Sequence, residues 1–390
     1  MRIKKIYLIK IIIITSIAFI LVGCWDNREL DTLSIVTGVG IDATDNDDNI
    51  SLILQVGEIG KDNSGSFKSE GSNDESATLE AEDKSILSAI EKLQKQITRD
   101  LFMHHNQVVI FGKEQARKGV QPYIDAFLRQ YDIRMETLVF IAEDKARDIL
   151  NNTMDQDRIS ALGITKMMES VDRYYESYSV RIIDLVSMII DKTTDSVIPI
   201  LKLDNNEGNT RLALSGLAIL NDGKLIGELD DTETKGYTWI TDKYKNTFLK
   251  VEAEEGLANL NIIHIRHKLE PEIRNGNELV ISLEIIGDMV ISEIQEFKNM
   301  TIEEVSNILL DEGKKAIDKE IQACLRKSKD LNADFLGFGT KFYKKFPKEW
   351  KEIKNNWNSI YPEIKISTNI RLNLINTGKI VNSLNMKGED

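Results

Sequence analysis

Apolar and polar residues alternate in two early segments of the chain. Residues 33–42 (LSIVTGVGID) form an apolar run with glycines, and every second residue from 50 to 56 is apolar. This period of two predicts two strands, and the polar link at 45–49 predicts that they form a hairpin. Residues 60–76 are rich in Gly, Ser, Asn and Asp and almost free of apolar side chains, which predicts a mobile surface loop.

After this loop, helical and strand-like patterns take turns. Residues 77–98 are predicted to be helical, because apolar residues from Ile86 to Ile97 recur three and four positions apart. Residues 113–134 are also predicted to be helical, with a break at 119–122. The short apolar runs NQVVIFG (106–112) and ETLVFIA (136–142) predict buried strands. Two helical pieces are expected within 155–192. A mixed α/β domain is the architecture that such an alternation favours.

The later part of the chain is richer in strands. Asn221-Asp222-Gly223 separates two apolar runs and is a strong hairpin signal. Thr301 and Glu304 form a T-x-x-E capping box at the start of a long apolar stripe, which predicts a helix over about 301–331. Every second residue from 364 to 374 except one is apolar, as in a strand with one buried face. The patterns together predict an α+β fold, with largely antiparallel sheets packed against helices.

The N-terminal segment differs from the rest. Four basic residues precede an apolar run of 12 residues, 11–22, which is too short to cross about 30 Å of hydrocarbon comfortably but matches a secretion signal. Leu21-Val22-Gly23-Cys24 follows and matches the bacterial lipobox, in which the cysteine receives lipid. This context disfavours the two other interpretations of Cys24, a membrane-spanning end and a core thiol. We therefore predict that residues 1–23 are a signal peptide cleaved between Gly23 and Cys24. Cys24 would carry N-palmitoyl and S-diacylglycerol groups and anchor the protein to a membrane.

Charge limits the partners that the chain can bind. It has 390 residues, of which 50 are basic and 63 acidic, giving a net charge of −13. Removal of the signal peptide takes away four positive charges and leaves about −17. Such a surface disfavours nucleic acid, whose phosphates need Lys and Arg, and adhesion to anionic lipid. Membrane attachment must then come from the lipid on Cys24.

The sequence contains no convincing catalytic, cofactor-binding or metal-binding constellation. His104 and His105 are adjacent and His264 and His267 are an odd number of residues apart, so on regular strands neither pair shares a face. The acidic stretch 42–48 lacks the glycine and terminal glutamate of a calcium-binding loop. No G-x-S-x-G, H-E-x-x-H, C-x-x-C or Walker A motif occurs. We predict no enzymatic activity, no cofactor and no metal.

Three further residues are expected to pack in the core. Cys324 lies on the apolar stripe of the long predicted helix, where we expect it to pack as a small apolar side chain. Trp350 and Trp357 are seven residues apart, a spacing that favours one buried helix face.

Several ordered motifs make the chain resemble one protein family. CWDNREL (24–30) leads into the strand IVTGVGID, and LFMHHNQVVIFG leads into a helix with Asp125, Arg129 and Arg134 at characteristic spacing. LSGLAILNDGKLIGEL and NADFLGFGTKFYKKFPKEW follow in order. From Cys24 to about Ile380 this series resembles the C subunit of GerA-type nutrient germinant receptors of bacterial spores (the GerAC/GerBC/GerKC family). Asn27 occupies a place that is variable in that pattern.

The resemblance implies an architecture and a role. Three mixed α/β domains in tandem are expected, which we place at 24–195, 196–270 and 271–390. The protein would be a lipoprotein on the outer face of the spore inner membrane. It would act as a non-enzymatic subunit in nutrient sensing, together with two integral membrane partners, the A and B subunits. The B subunit resembles an amino-acid transporter, and whether the C subunit binds a small molecule itself is left open.

Two other functional classes remain as alternatives. A solute-binding lipoprotein of an ABC importer would need two lobes around a ligand cleft, which the strand-rich blocks and the long capped helix do not suggest. A lipid-anchored hydrolase would need a catalytic triad or a metal site, and the sequence offers neither.

Overall fold

The computed structural model describes most of the chain. Besides residue 7, it describes residues 32–57, 76–129, 133–152, 159–174, 178–206, 209–244, 247–275 and 278–376. The lipobox residues Gly23 and Cys24 and all but the last residue of the predicted loop 60–76 lie outside these ranges. In the described ranges, no helix is both long and apolar enough to span a bilayer.

The first sheet contains nine strands of the described chain, in the order β3-β2-β1-β5-β6-β7-β8-β9, with β4 beside β1. The central pairs β1–β5, β5–β6 and β6–β7 are parallel, whereas the longer outer pairs are antiparallel. The strands are β1 Leu33–Ala43, β2 Ile50–Gly57, β3 Ser76–Asp83, β4 Asp100–Phe102, β5 Val108–Phe111, β6 Leu138–Ala142, β7 Ser196–Asn206, β8 Asn209–Asn221 and β9 Lys224–Leu229.

Helices cover both faces of this sheet. One face packs against α1 Ile86–Gln94, α2 Lys113–Lys118, α3 Gln121–Arg129 and α6 Ile182–Ile190, and the other against α4 Ala146–Asn151 and α5 Ser160–Tyr174. The side chains of β5 alternate between the two cores, with Val109 and Phe111 on the first face and Val108 and Ile110 on the second. Burial on both faces explains why β5 and β6 are continuous apolar runs.

The second sheet has the order β10-β11-β12-β13 and packs against one long helix. Its strands are β10 Thr247–Ala253, β11 Gly256–Arg274, β12 Glu278–Gln295 and β13 Lys365–Asn376. The helices of this half are α7 Asp231–Thr241, α8 Ile302–Asp330, α9 Phe338–Lys345, α10 Pro347–Ile353 and α11 Trp357–Ile360.

The long helix confirms its predicted bounds and cap. The Thr301 hydroxyl accepts from the backbone N–H of Glu304, and the Glu304 carboxylate accepts from the backbone N–H of Thr301. This reciprocal pair satisfies two groups that a helix start leaves open. β13 follows its predicted pattern too, with Leu372 buried and Arg371 and Asn373 exposed.

The fold class is confirmed, but two expectations differ from the structure and a third is not confirmed. Residues 76–83 form β3 rather than a helix, because they pair along β2 before Ser85 caps α1. His104 and His105 lie in a 3₁₀ turn rather than on a strand. The three-domain division is not confirmed: β7 pairs with β6 across the expected boundary at 195/196, and the described strands form two sheets.

Candidate functional site

A cavity of about 370 Å³ lies where the first sheet meets the C-terminal helices. Its walls come from the segment between α6 and β7, from the β8–β9 hairpin and from residues that follow α8. Cavities at such junctions are the common places for binding sites. The wall of this cavity includes the carboxyl groups of Asp191, Asp195 and Asp334.

Asp334 is a carboxylate in the wall of this cavity and is only 4 % exposed. Its Oδ1 accepts from the backbone N–H of Phe338 at 2.9 Å, and its Oδ2 accepts from the backbone N–H of Gly339 at 2.6 Å. The indole Nε1 of Trp357 donates to the same Oδ2 at 3.2 Å. Asp334 thus holds the first turn of α9 and the start of α11 together. Beside it, Phe338 and Phe342 of α9 pack against Tyr361, which follows α11, and against Trp357 of α11.

The surroundings of Asp334 favour its protonated form. Burial raises the pKa of Asp334 to about 8, although its three hydrogen bonds act in the opposite direction. Asp195 lies beside it: the backbone N–H of Asp195 donates to the backbone O of Asp334 at 3.1 Å. Burial also raises the pKa of Asp195, whose carboxylate accepts from Asn221 Nδ2 at 2.6 Å.

A third carboxylate links the same two parts of the molecule. Asp191 accepts from the hydroxyl of Thr193 at 2.5 Å and from that of Thr340, on α9, at 2.9 Å. Although Asp191 is partly buried, these hydrogen bonds lower its pKa. The Thr340 hydroxyl also lies 2.9 Å from that of Thr194. Together, Asp191, Asp195, Asp334 and Thr340 form what we call the Asp334 clamp.

The clamp joins two structural layers and presents no reactive group. A Cβ on Gly339 would lie 2.9 Å from the backbone O of Thr193 and 3.0 Å from the ring of Trp350, so the two segments are in close contact. The oxygens of Asp334 already accept from three donors, as expected of a buried side chain that fixes backbone geometry. In the part of the chain that the structure describes, no three His, Cys, Asp or Glu side chains are arranged to hold a metal ion.

The clamp predicts a specific dependence of stability on pH. The ordinary pKa of an aspartate side chain is 3.8, and that of Asp334 in the folded protein is about 8. Between these two pH values the folded state therefore binds more protons than the unfolded state. Its free energy of unfolding should then fall as pH rises through this window, by at most about 1.4 kcal/mol per pH unit. Urea unfolding of wild type and Asp334→Asn at several pH values tests this. The variant should show a flatter pH profile, and equal slopes in the two proteins would contradict the assignment.

The sequence-predicted residues are dispersed over the molecule. His264 lies at a bulge of β11, 3.7 Å from Asp288, whereas His267 Nε2 is 3.0 Å from the backbone O of Ile240. Asp42 is buried, and its carboxylate accepts from the N–H groups of Ala146 and Arg147 at the start of α4. Asp42 therefore caps a helix instead of lining an open acidic loop.

The predicted burial of Cys324, Trp350 and Trp357 is confirmed. Cys324 is fully buried on α8, and burial raises the pKa of its thiol. Trp350 and Trp357 are buried, with ring centroids 4.9 Å apart in an edge-to-face arrangement. Asp125 and Arg129, part of the family-like spacing, form an exposed ion pair on α3.

Sequence reasoning missed the Asp334 clamp because its members are far apart in the chain. Asp195 precedes Asp334 by more than a hundred residues, and Thr340 hydrogen-bonds to Asp191. One local signal was present. Asp334 stands just before the Gly-Phe-Gly of NADFLGFG, where an acidic side chain can reach the open N–H groups of a helix start.

Comparison with known families gives two consecutive matches. Residues 26–203 match the family described as "Spore germination protein N-terminal domain", and residues 215–378 match "Spore germination B3/ GerAC like, C-terminal". The two ranges follow each other in order and leave only a short gap between them. They include the Asp334 clamp and both described sheets except for the end of β7 and the start of β8.

Individual relatives match this chain over nearly its whole length. Spore germination protein KC of Bacillus subtilis (strain 168) is 28 % identical, over 95 % of this chain and 96 % of its own length. Spore germination protein B3 of the same organism is 21 % identical, over 92 % and 95 %. The crystal structure of the GerBC protein has a TM-score of 0.53 and 19 % identity, and the match covers 90 % of this chain and 100 % of GerBC. The last comparison supports the fold.

Proposed function

Because the chain belongs to the GerAC family of spore germination proteins, we propose that it is the C subunit of a nutrient germinant receptor. In this role it is a non-enzymatic scaffold that acts with two integral membrane partners, the A and B subunits. The observation that carries the proposal is the ordered match of both family segments over residues 26–203 and 215–378. Because both segments match in this order, the likeness extends over the whole architecture and is not limited to one shared domain.

The geometry supports a scaffold more than a catalyst. The Asp334 clamp fixes the contact between the segment before β7 and helix α9 through groups that already satisfy one another. Energetic coupling between distant parts of a protein is carried by packed side chains and hydrogen-bond networks, and the clamp is a network of that kind. Catalysis would instead need a nucleophile or an acid–base pair open to a substrate.

The location proposed for the subunit rests on its N-terminus. The lipobox at Leu21–Cys24 and the short apolar run before it favour a mature chain that begins at a lipidated Cys24. With this anchor the protein would lie on the outer face of the spore inner membrane. The acidic net charge gives it little attraction to anionic headgroups, so the lipid would supply the attachment.

The importer alternative has less support. The relatives over 90 % or more of this chain are named as spore germination proteins, and none of their printed names refers to transport. The cavity at the clamp is bounded by interlocked side chains rather than by two lobes that could close on a solute.

Deletion of the gene in its spore-forming host tests the proposal. Spores without the protein should lose germination with at least one single nutrient and regain it when the wild-type gene is restored. Heat-killed or buffer-only spores give the baseline, and dipicolinic acid release gives the rate. Unchanged germination with every nutrient, combined with lost uptake of one solute, would contradict the receptor role and favour the importer.

A further inference from the structure

Helix α6 has an unusual surface for its position. Seven of its nine residues, IIDLVSMII, are Ile, Leu, Val or Met, yet only Ile182 and Leu185 are buried. Ile183 is 41 % exposed and Ile190 is 72 % exposed. A helix that is apolar on nearly every side is normally covered on every side, and a cluster of exposed apolar side chains marks an interaction surface.

The exposed residues lie along one line of the helix. Ile183 and Ile190 are exposed, whereas Val186 is half-buried and packs against the first core; the three follow each other at i, i+3 and i+7 on one face, which also carries the exposed Ser187. We call these three side chains the α6 ridge. The neighbouring helix α3 also carries an exposed apolar side chain, Leu128, which is 43 % exposed.

Two cavities border α6, so the surface around the ridge is uneven. The 370 Å³ cavity at the clamp includes Met188 and Ile189 in its wall. A second cavity, of about 590 Å³, is lined by Asp184, Ser187 and Met188 together with residues 242–244. A ridge beside depressions can interlock with side chains of another protein, and interface hot spots concentrate in such places.

Charge disfavours a lipid bilayer as the occupant. The Arg181 guanidinium donates to both carboxylate oxygens of Asp184, at 2.7 and 2.9 Å, so the charges at the start of the helix neutralise each other. At the other end, Asp191 is engaged by Thr193 and Thr340. Lipid-binding helices combine an apolar face with many Lys and Arg side chains, whereas α6 contains no basic residue. An apolar protein segment fits this surface better.

The position of α6 relative to the predicted tether limits where that partner can be. β1 begins at Leu33, nine residue steps after Cys24, and such a length of chain spans at most about 32 Å. β1, β5 and β6 are parallel neighbours, so they start at the same edge of the sheet, with β6 about 10 Å from β1. The backbone N–H groups of Ile182 and Ile183 donate to residues just before β6, Thr137 and Met135. The start of the ridge, at Ile183, therefore lies near the sheet edge at which β1 begins and the tether would leave.

We propose that the α6 ridge is the docking surface for an apolar helical segment that an integral membrane subunit of the receptor presents outside the bilayer. This inference rests on the proposed function and adds the surface and the kind of partner. Docking would bury Ile183 and Ile190. The lipid on Cys24 would hold the protein at the membrane, and the ridge would bind the specific partner there.

The test replaces the ridge with charge in the full-length protein in spores. In Ile183→Glu/Ile190→Glu, co-purification with an affinity-tagged integral membrane subunit in mild detergent should fall at least tenfold. Membrane retention and fatty-acid labelling should stay at wild-type levels. Leu87→Glu is the matched control, because Leu87 is 54 % exposed on α1, on the same side of the sheet, and it should leave co-purification unchanged. Co-purification of the double variant within twofold of wild type would overturn the proposal.

A photo-crosslinking residue at position 190 makes the test independent of folding in the double variant. Crosslinks to an integral membrane subunit support the proposal, and crosslinks to lipid alone or to no protein overturn it. The gene-deletion strain distinguishes a failure of the proposed receptor role from a failure of the ridge proposal. Normal germination of the deletion strain contradicts the receptor role itself, whereas a germination defect in the deletion strain with a fully active double variant contradicts the ridge alone.

Discussion

Cys24→Ala should remove all fatty-acid labelling from the protein and release it from the spore inner membrane, or leave it as an uncleaved precursor. The thiol of Cys24 is the proposed attachment point for diacylglycerol, and each buried methylene of an acyl chain contributes about 0.8 kcal/mol to membrane binding. The strongly acidic chain has little other attraction to lipid headgroups. Metabolic labelling with a fatty-acid probe and fractionation of spore membranes measure the two effects.

Cys324→Ala is the matched control, because Cys324 is fully buried on α8. This variant should keep its fatty-acid label and its place in the membrane fraction. The mass of the N-terminal peptide must be determined in both variants, since an uncleaved signal segment can also hold the chain at the membrane. Persistent labelling of the Cys24→Ala protein would contradict lipidation at Cys24.

Gly236→Ala should destabilise the protein by about 3 kcal/mol or prevent it from folding. Gly236 lies where α7 crosses α8, and a Cβ there would be 2.1 Å from the backbone O of Glu320 and 2.6 Å from the Cβ of Cys324. Since backbone atoms form the obstacle, the helices must move apart. That movement would also disturb the hydrogen bond from Trp239 Nε1 to Glu320, which measures 2.7 Å.

Gly313→Ala provides the comparison on the facing helix. A Cβ at Gly313 would meet the Leu372 side chain at 3.2 Å and no backbone within 3.4 Å among its nearest neighbours. Replacing a mid-helix glycine by alanine favours the helix by up to about 1 kcal/mol, so this variant should lie within about 1 kcal/mol of wild type. Urea unfolding measures both free energies. Equal stability of the two variants would show that α7 and α8 are not in the close contact described.

Local signals in the sequence predicted the elements that depend on near neighbours. The capping box of Thr301 and Glu304 and the long apolar stripe were sufficient for α8, and the alternation after residue 364 was sufficient for β13. The prediction failed at β3, where Ala77, Leu79 and Ala81 alternate as in a strand but merge with the helical spacing of α1. Pairing with β2 decides the conformation there, and that partner is distant in sequence.

Long-range contacts explain the remaining differences. β6 pairs with β7 through only two residue pairs, Ile141 with Ile200 and Ala142 with Leu201. This short parallel contact makes the first sheet continue past the expected domain boundary. The Asp334 clamp likewise depends on Asp191, Asp195 and Thr340 meeting in space. The α6 run was predicted as a helix, but periodicity alone cannot show that Ile183 and Ile190 are left exposed.

The most direct test of the central claim is to isolate the wild-type protein, tagged at its C-terminus, from spore inner membranes and to identify what accompanies it. A receptor C subunit should co-purify with two integral membrane proteins in a fixed ratio, and loss of either partner's gene should abolish germination with the same nutrient. Isolation of the protein alone, or together with the permease and ATPase of an importer, would contradict the account.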